Sequence, residues 1–407
     1  MPTVVDTLIR ATITLDTPTP LQEQSITSLG HPTTPLADAE TVLIGNCPPI
    51  VNTTGSRRSL PSSRCSVRNS PLKTLAELNE RLTRPTQSEI DCLARNPGDI
   101  VVLGASGKMG PSLIGRLCRA ATHQRKIYAV ARFTSKASLD EVRDYGAHPV
   151  ICDLHNPNGV ANLPQSPNVF YLAGRKFGST GRPDLTWAAN TIVPSLAGWH
   201  YRNSKIVTFS SGNVYPFVDA NSIGCSEKDP VGPVGEYAQS ALARERIFEY
   251  WSREYQTRAV IIRLNYAVDL RYGTLVDIAR RVWSGEPVPI SVRYVNAIWQ
   301  GDANRYAIES LDLCDSPARI LNVTGPHIVD VEATARWFGT RFQKELVELE
   351  GAPGPVALLN DPTECISRLG PPEVHFETLR EWVAQWIENN GELLQKPTGF
   401  QVTDGKF

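Results

Sequence analysis

Asp99-Ile100-Val101-Val102-Leu103-Gly104-Ala105-Ser106-Gly107-Lys108-Met109-Gly110 is the stretch on which the fold turns. Four aliphatic residues in a row read as a strand buried on both faces, and Leu113, Ile114 and Leu117 follow at helical spacing. Three glycines stand between strand and helix. Gly104 serves a sharp backbone turn, Gly107 a close approach to a pyrophosphate, and Gly110 the contact of helix with strand; the helix N-terminus then faces the phosphates. Gly104, Ser106, Gly107, Lys108, Met109 and Gly110 are therefore expected to form a dinucleotide site.

Outward from this turn, strands and helices alternate. Short apolar runs over 127–131, 149–152, 169–173, 206–210 and 259–264 read as strands buried on both faces, separated by helical segments that include 185–201 and 237–254. In the second of these, Leu242, Ile247, Phe248 and Trp251 are expected on the inward side. Such alternation predicts an α/β fold, a Rossmann-type doubly wound parallel sheet with a smaller C-terminal α+β substrate lobe. Residues 1–70, rich in Pro, Ser and Thr, read as a disordered extension, and 71–97 as a helical segment with Leu75, Leu78 and Leu82 on one stripe. The Rossmann domain is expected over 98–268. A substrate-binding lobe, partly interleaved with the sheet, takes 269–407, where prolines interrupt the pattern but a strand at 319–323 and an amphipathic helix at 377–389 remain legible.

Composition narrows the partners. The 407 residues are 41% hydrophobic and 20% charged with a net charge of -1, which provides no global field for nucleic acid or a membrane surface. The eight cysteines are scattered without the close pairs of metal or redox motifs, so no metal is expected, and a reduced, cytoplasmic chain is the simpler reading. The start of the chain lacks the basic-then-apolar pattern of a secretory signal, and no apolar run is long enough to span a membrane.

Cofactor preference is read at the end of the second strand. A site for NAD usually carries an acid there for the ribose hydroxyls, whereas this chain has Ala131-Arg132, and Lys108 adds a second cation. The expected cofactor is NADP, with NAD as the alternative. Asp153, beyond the third strand, is placed either for the adenine edge or to cap the turn at Asn156-Pro157.

The ordered landmarks Gly104 to Gly110, Asp153-Leu154, Ala173-Gly174, Asn190, Phe209-Ser210-Ser211-Gly212-Asn213-Val214-Tyr215 and Tyr237 resemble those of the extended short-chain dehydrogenase/reductase family, the epimerase/dehydratase type, over roughly residues 98 to 330. The resemblance implies bound NAD or NADP, held also by Asp153, Leu154, Ala173 and Gly174. It further implies hydride transfer at a carbon of a sugar-like small molecule, and pairing of two copies through the helices 185–201 and 237–254. It assigns Ser211 to hydrogen-bond the substrate and Tyr237 to exchange its proton, with Asn190 in support.

One landmark departs from the pattern. A phenol, with an ordinary pKa near about 10, serves as a base only beside a cation. The family places a lysine four residues after the tyrosine, and here that position is Ala241. Arg175 and Lys176, in the loop after the fourth strand, are the favoured replacements over Arg244, one helical turn further on. Asn213, Asn265, Arg271 and Asn296 are the expected substrate contacts, with Tyr272 nearby. The leading reading is an NAD(P)-dependent oxidoreductase, epimerase or dehydratase acting on a sugar, nucleotide sugar or related carbonyl or polyol; the alternative is a catalytically impaired NAD(P)-binding sensor or scaffold.

Overall fold

A computed structural model describes residues 72–121, 124–396 and 398–406. The extension expected over 1–70 lies outside the described residues. Seven parallel strands form the central sheet: β1 (Ile100–Leu103), β2 (Ile127–Ala131), β3 (His148–Ile151), β4 (Asn168–Tyr171), β5 (Lys205–Ser211), β6 (Ala259–Leu264) and β7 (Arg319–Val323). Their spatial order is β7-β6-β5-β4-β1-β2-β3, every neighbouring pair parallel. Chain direction of travel reverses between β1 and β4. Ligands of doubly wound sheets bind in the crevice at that switch point, beyond the carboxyl ends of the strands.

Alternation along β1 sorts the two faces. Ile100 and Val102 join Leu113, Ile114 and Leu117 of α3 (Gly110–Ala120) in one core cluster. Val101 and Leu103 join Val193 and Ala197 of the helix Val193–His200, with Phe248 of the long helix Gly235–Tyr255, in the other. Preceding β1, α1 (Leu75–Thr83) and α2 (Gln87–Arg95) pack by Leu78 and Leu82 onto the C-terminal lobe and by Cys92 and Leu93 onto the sheet. Leu75 departs from the expected stripe: it is exposed, at the start of α1.

Two other expectations need correction. The strand expected over 149–152 is not buried on both faces, because β3 is the edge strand with a neighbour on one side only, and Ile151 stands 72% exposed. The helix expected over 185–201 is three pieces: Pro183–Trp187, a π-helical turn Ala188–Ile192, and Val193–His200. Pro194 lacks an N–H for the helical ladder, and the widened turn lies directly before it. In Gly235–Tyr255 the buried face runs through Ala238, Ala241, Glu245, Phe248 and Ser252, so Leu242, Ile247 and Trp251 are flanking and half-buried.

The C-terminal lobe has its own core, built from Trp299, Phe338, Phe342, Trp382 and Trp386. Helices Thr274–Ser284, Val331–Arg341 and Phe376–Glu388 surround it, with short two-stranded ladders such as Tyr294–Asn296 against Ile328–Asp330. Among the described residues no helix is long and apolar enough to cross a membrane, and no group of three His, Cys, Asp or Glu side chains is placed to hold a metal ion.

Candidate functional site

The glycine turn is shaped by contacts that only glycine satisfies. Gly104 has φ +87°, and a Cβ there would stand 2.7 Å from the Ala173 nitrogen; at Gly110 a Cβ would collide with the Ala105 carbonyl oxygen. Gly107 differs. A Cβ on Gly107 meets protein only at the Gly104 oxygen, 3.3 Å away, and otherwise points into open space. Protein packing therefore explains the first and third glycines, whereas beside the second the surface is open.

A cleft of about 280 Å³ opens at this turn. Gly104, Gly107, Lys108, Met109, Gly110 and Gly174 line it on the cofactor side. Facing them are Ser211 and Asn213 after β5, Tyr237 at the opening of Gly235–Tyr255, Arg175 and Lys176 after β4, and Asn265 after β6. These residues come from the carboxyl ends of neighbouring strands, which is why the fold collects them. Tyr266 also lines the cleft in a left-handed conformation, φ +42°, costly for a residue with a Cβ.

Other expected residues stand elsewhere. Asp153 accepts from the His155 amide at 3.1 Å and faces the His155 ring, hydrogen bonds that hold its carboxyl below the usual range. Arg132 is exposed, and neither it nor Ser106, Asp153, Leu154 or Ala173 lines the cleft. Asn190 lies within the π turn, fully buried. Its side chain accepts from the Arg175 amide (3.1 Å) and donates to the Arg175 carbonyl (3.1 Å) and Ser240 Oγ (2.8 Å). It braces the loop carrying Arg175 and Lys176. Arg271 chelates Asp269 and faces an adjoining groove of about 780 Å³, while Asn296 accepts from the buried Asn360 amide at 2.8 Å.

Cations surround the tyrosine position. Lys176 Nζ lies 5.6 Å from the centroid of the Tyr237 ring, and burial pushes this lysine down to about 8. Lys108 is exposed as a residue, yet its ammonium lies over the Tyr272 ring, 3.1 Å from the centroid. Desolvation, then the charges of Lys176 and Lys396, bring it to about 7. Arg244, 5% exposed, donates to the Ala173 carbonyl (3.1 Å) and lies against Gly174, where a Cβ would collide with its guanidinium. Ala241 is fully buried beside Val214 and Tyr215.

Gln300, Thr274 and Thr398 also line the cleft, and sequence reasoning did not single them out. Gln300 opens the helix Gln300–Glu309 and donates to Ser112 Oγ of α3 at 3.0 Å, a contact across 188 residues that no local pattern announces.

A glycine turn at the switch point of a parallel sheet, with Ser211 and Tyr237 across the same cleft, resembles the arrangement of an extended short-chain dehydrogenase/reductase. More narrowly, residues 100–269 match the model of the NAD dependent epimerase/dehydratase family. Solved structures share the fold. A UDP-glucose 4-epimerase from Thermotoga maritima with UDP-glucose aligns at TM-score 0.61 and 17% identity, covering 72% of this chain and 99% of that one. A dTDP-glucose 4,6-dehydratase from Bacillus anthracis in complex with NAD aligns at TM-score 0.61 and 15% identity, covering 72% and 97%. An epimerase from Methanothermobacter thermautotrophicus aligns at TM-score 0.63 and 16% identity, covering 75% and 97%. No curated protein sequence matches the chain.

Proposed function

We propose that the chain is an NADP-dependent epimerase, dehydratase or oxidoreductase acting on a sugar, a nucleotide sugar or a related carbonyl or polyol. The observation that carries this reading is the convergence of the glycine turn, Ser211, Tyr237 and Lys176 on one cleft. UDP-glucose in the Thermotoga structure and NAD in the Bacillus one support the substrate and cofactor classes. When bound, the nicotinamide supplies reversible hydride acceptance.

This chain's own residues supply the proton chemistry. Tyr237 exchanges its phenolic proton with the substrate hydroxyl or carbonyl, and the Lys176 ammonium beside it stabilises the phenolate. Ser211 Oγ, now shared with Asn213 Oδ1 at 2.9 Å, is available to donate to the same substrate oxygen. Asn213 and Asn265 face the substrate. Arg132 and Lys108 favour the 2′-phosphate of NADP by charge-assisted hydrogen bonds. Two copies pair through the outer faces of Pro183–His200 and Gly235–Tyr255.

The test is a fluorescence titration of NADPH against NADH, followed by incubation with UDP- and dTDP-sugars and chromatographic product analysis, wild type beside Tyr237→Phe. An epimerase returns its hydride, so absorbance alone cannot report it. Failure to bind either dinucleotide removes the cofactor reading. Binding without any product in wild type favours a sensor or scaffold.

A further inference from the structure

After the last helix, Phe376–Glu388, the following segment reaches the cleft at Thr398 and the Tyr237 helix at Gly405. The Leu394 amide donates to the Arg271 carbonyl at 3.0 Å. Thr398 then docks on Asp277 of Thr274–Ser284, giving its amide (2.8 Å) and its hydroxyl (2.6 Å) to one carboxylate oxygen. Phe400 is 2% exposed in the lobe core. At the far end Gly405 packs backbone to backbone on Gly235, whose Cβ would stand 2.7 Å from the Gly405 Cα, and both glycines have positive φ. Gly235 is the first residue of the helix that carries Tyr237.

Between these anchors the strap touches the proposed machinery. Thr398 is 3% exposed, lines the cleft, and its carbonyl accepts from Lys176 Nζ at 3.4 Å. Leu393, Gln395, Phe400 and Gln401 of the strap line the groove of about 780 Å³ together with Asp277 and Arg280. A segment held this way contributes by where its anchors are. Three of the contacts fall on the elements that line the cleft: Asp277 on the lobe helix, Lys176 on its loop and Gly235 at the start of the Tyr237 helix.

We propose that this C-terminal strap is a working wall of the active site, and that Thr398, held by Asp277, is a positioning residue that keeps Lys176 beside Tyr237. The proposal rests on the catalytic reading of the cleft. A carbonyl dipole aimed at the ammonium fixes one of its three donors, which narrows the rotamers of a long, flexible side chain to those facing the tyrosine ring. No part of the strap falls within residues 100–269, so this wall belongs to the chain's own C-terminal segment.

The experiment reads Lys176 directly and does not depend on knowing the substrate. Reductive methylation of lysines with formaldehyde, followed across pH by mass spectrometry, compares the full chain with Thr398→Pro, Asp277→Ala and a chain stopped after Gln395. Thermal melts identify any variant that does not fold. In the full chain Lys176 is expected to be protected from methylation. Loss of the anchor is expected to raise its labelling rate about tenfold or more at fixed pH, with Lys73 labelling unchanged as an internal control.

With a turnover assay in hand, the point variants are expected to lower kcat at least tenfold and move the alkaline limb of the pH profile, with NADPH affinity within about threefold of wild type. Identical Lys176 labelling in folded point variants overturns the proposal, whatever the activity. Faster turnover on strap removal also overturns it, in favour of an inhibitory segment. Altered labelling in a protein that turns nothing over leaves the strap's hold on Lys176 standing and defeats the catalytic reading alone.

Discussion

Lys176 Nζ lies 5.6 Å from the centre of the Tyr237 ring, although the two residues belong to different elements and the position one helical turn after the tyrosine is an alanine. A cation that helix geometry cannot supply from Ala241 is thus present from a loop across the cleft, and the proposed proton exchange at Tyr237 rests on it.

Tyr237→Phe is expected to lower product formation by about 10²- to 10⁴-fold, the usual contribution of a positioned acid or base. Lys176→Ala is expected to lose about 10²-fold, with partial recovery in Lys176→Arg, because a guanidinium restores charge but not the same geometry. Product chromatography under saturating NADPH measures both. Unchanged kcat in Lys176→Ala transfers the role to another cation, Arg244 being the nearest buried one on the tyrosine's own helix.

Cofactor choice is expected to hinge on Arg132. Arg132→Ala should weaken NADPH binding by about tenfold, as loss of one charge-assisted hydrogen bond on an exposed side chain implies, and leave NADH binding within about twofold. Equal losses for both dinucleotides in a fluorescence titration would assign Arg132 to the shared part of the molecule. Tighter binding of NADH by wild type would remove the 2′-phosphate role altogether.

Two depressed lysines are expected to make dinucleotide binding pH-dependent. Lys108 stands at about 7 and Lys176 at about 8, burial being the largest cause in each. An anionic dinucleotide favours their charged forms, so NADPH affinity is expected to fall as pH rises from about 7 to 9. Calorimetry in buffers of different ionisation enthalpy should record proton uptake on binding. The free protein responds in the opposite sense. Between these folded values and the ordinary 10.5 the unfolded chain binds more protons, so the lysines' contribution to stability grows with pH across that window. A flat affinity with no proton uptake would detach both ammonium groups from the cofactor.

Beneath the cleft, Arg263 and Glu245 form a buried pair, with contacts of 3.0 and 2.7 Å, and Ser210 Oγ donates to the same carboxylate. Glu245→Ala strands the guanidinium of Arg263, which is 2% exposed, away from water. The expected cost is about 3–5 kcal/mol, read by urea denaturation, whereas the double variant Glu245→Ala/Arg263→Met should recover most of it. A single-variant loss below about 1 kcal/mol would mean that water reaches the arginine.

On the outer face, Leu185, Ile192 and Trp199 recur every seven residues and are 37%, 51% and 45% exposed, beside Tyr250 and Tyr255 at 52% and 43%. Such a stripe favours burial against a second copy. Trp199→Ser with Tyr250→Ser is expected to shift the mass measured by light scattering from dimer to monomer without changing the fold by circular dichroism. A monomeric wild type at micromolar concentration ends this reading.

By itself the sequence determined the parallel sheet and the glycine turn, because both are written in neighbouring residues. The runs Ile100 to Leu103 and Ala259 to Leu264 alternate between two faces within a few positions, and Gly104, Gly107 and Gly110 answer to local backbone sterics and one adjacent helix. The placement of Ser211 and Tyr237 in the cleft was legible for a related reason: strand ends of this fold lead into the crevice. What only the tertiary structure decided is non-local. The exposure of β3 follows from strand order, the commitment of Asn296 to Asn360 from packing of the lobe, and the bracing of Arg175 by Asn190 from a π turn. The meeting of Lys176 with Thr398 joins positions 222 residues apart. Spacing along a chain carries no information about such contacts, since they are set by how two separately packed cores bring their surfaces together.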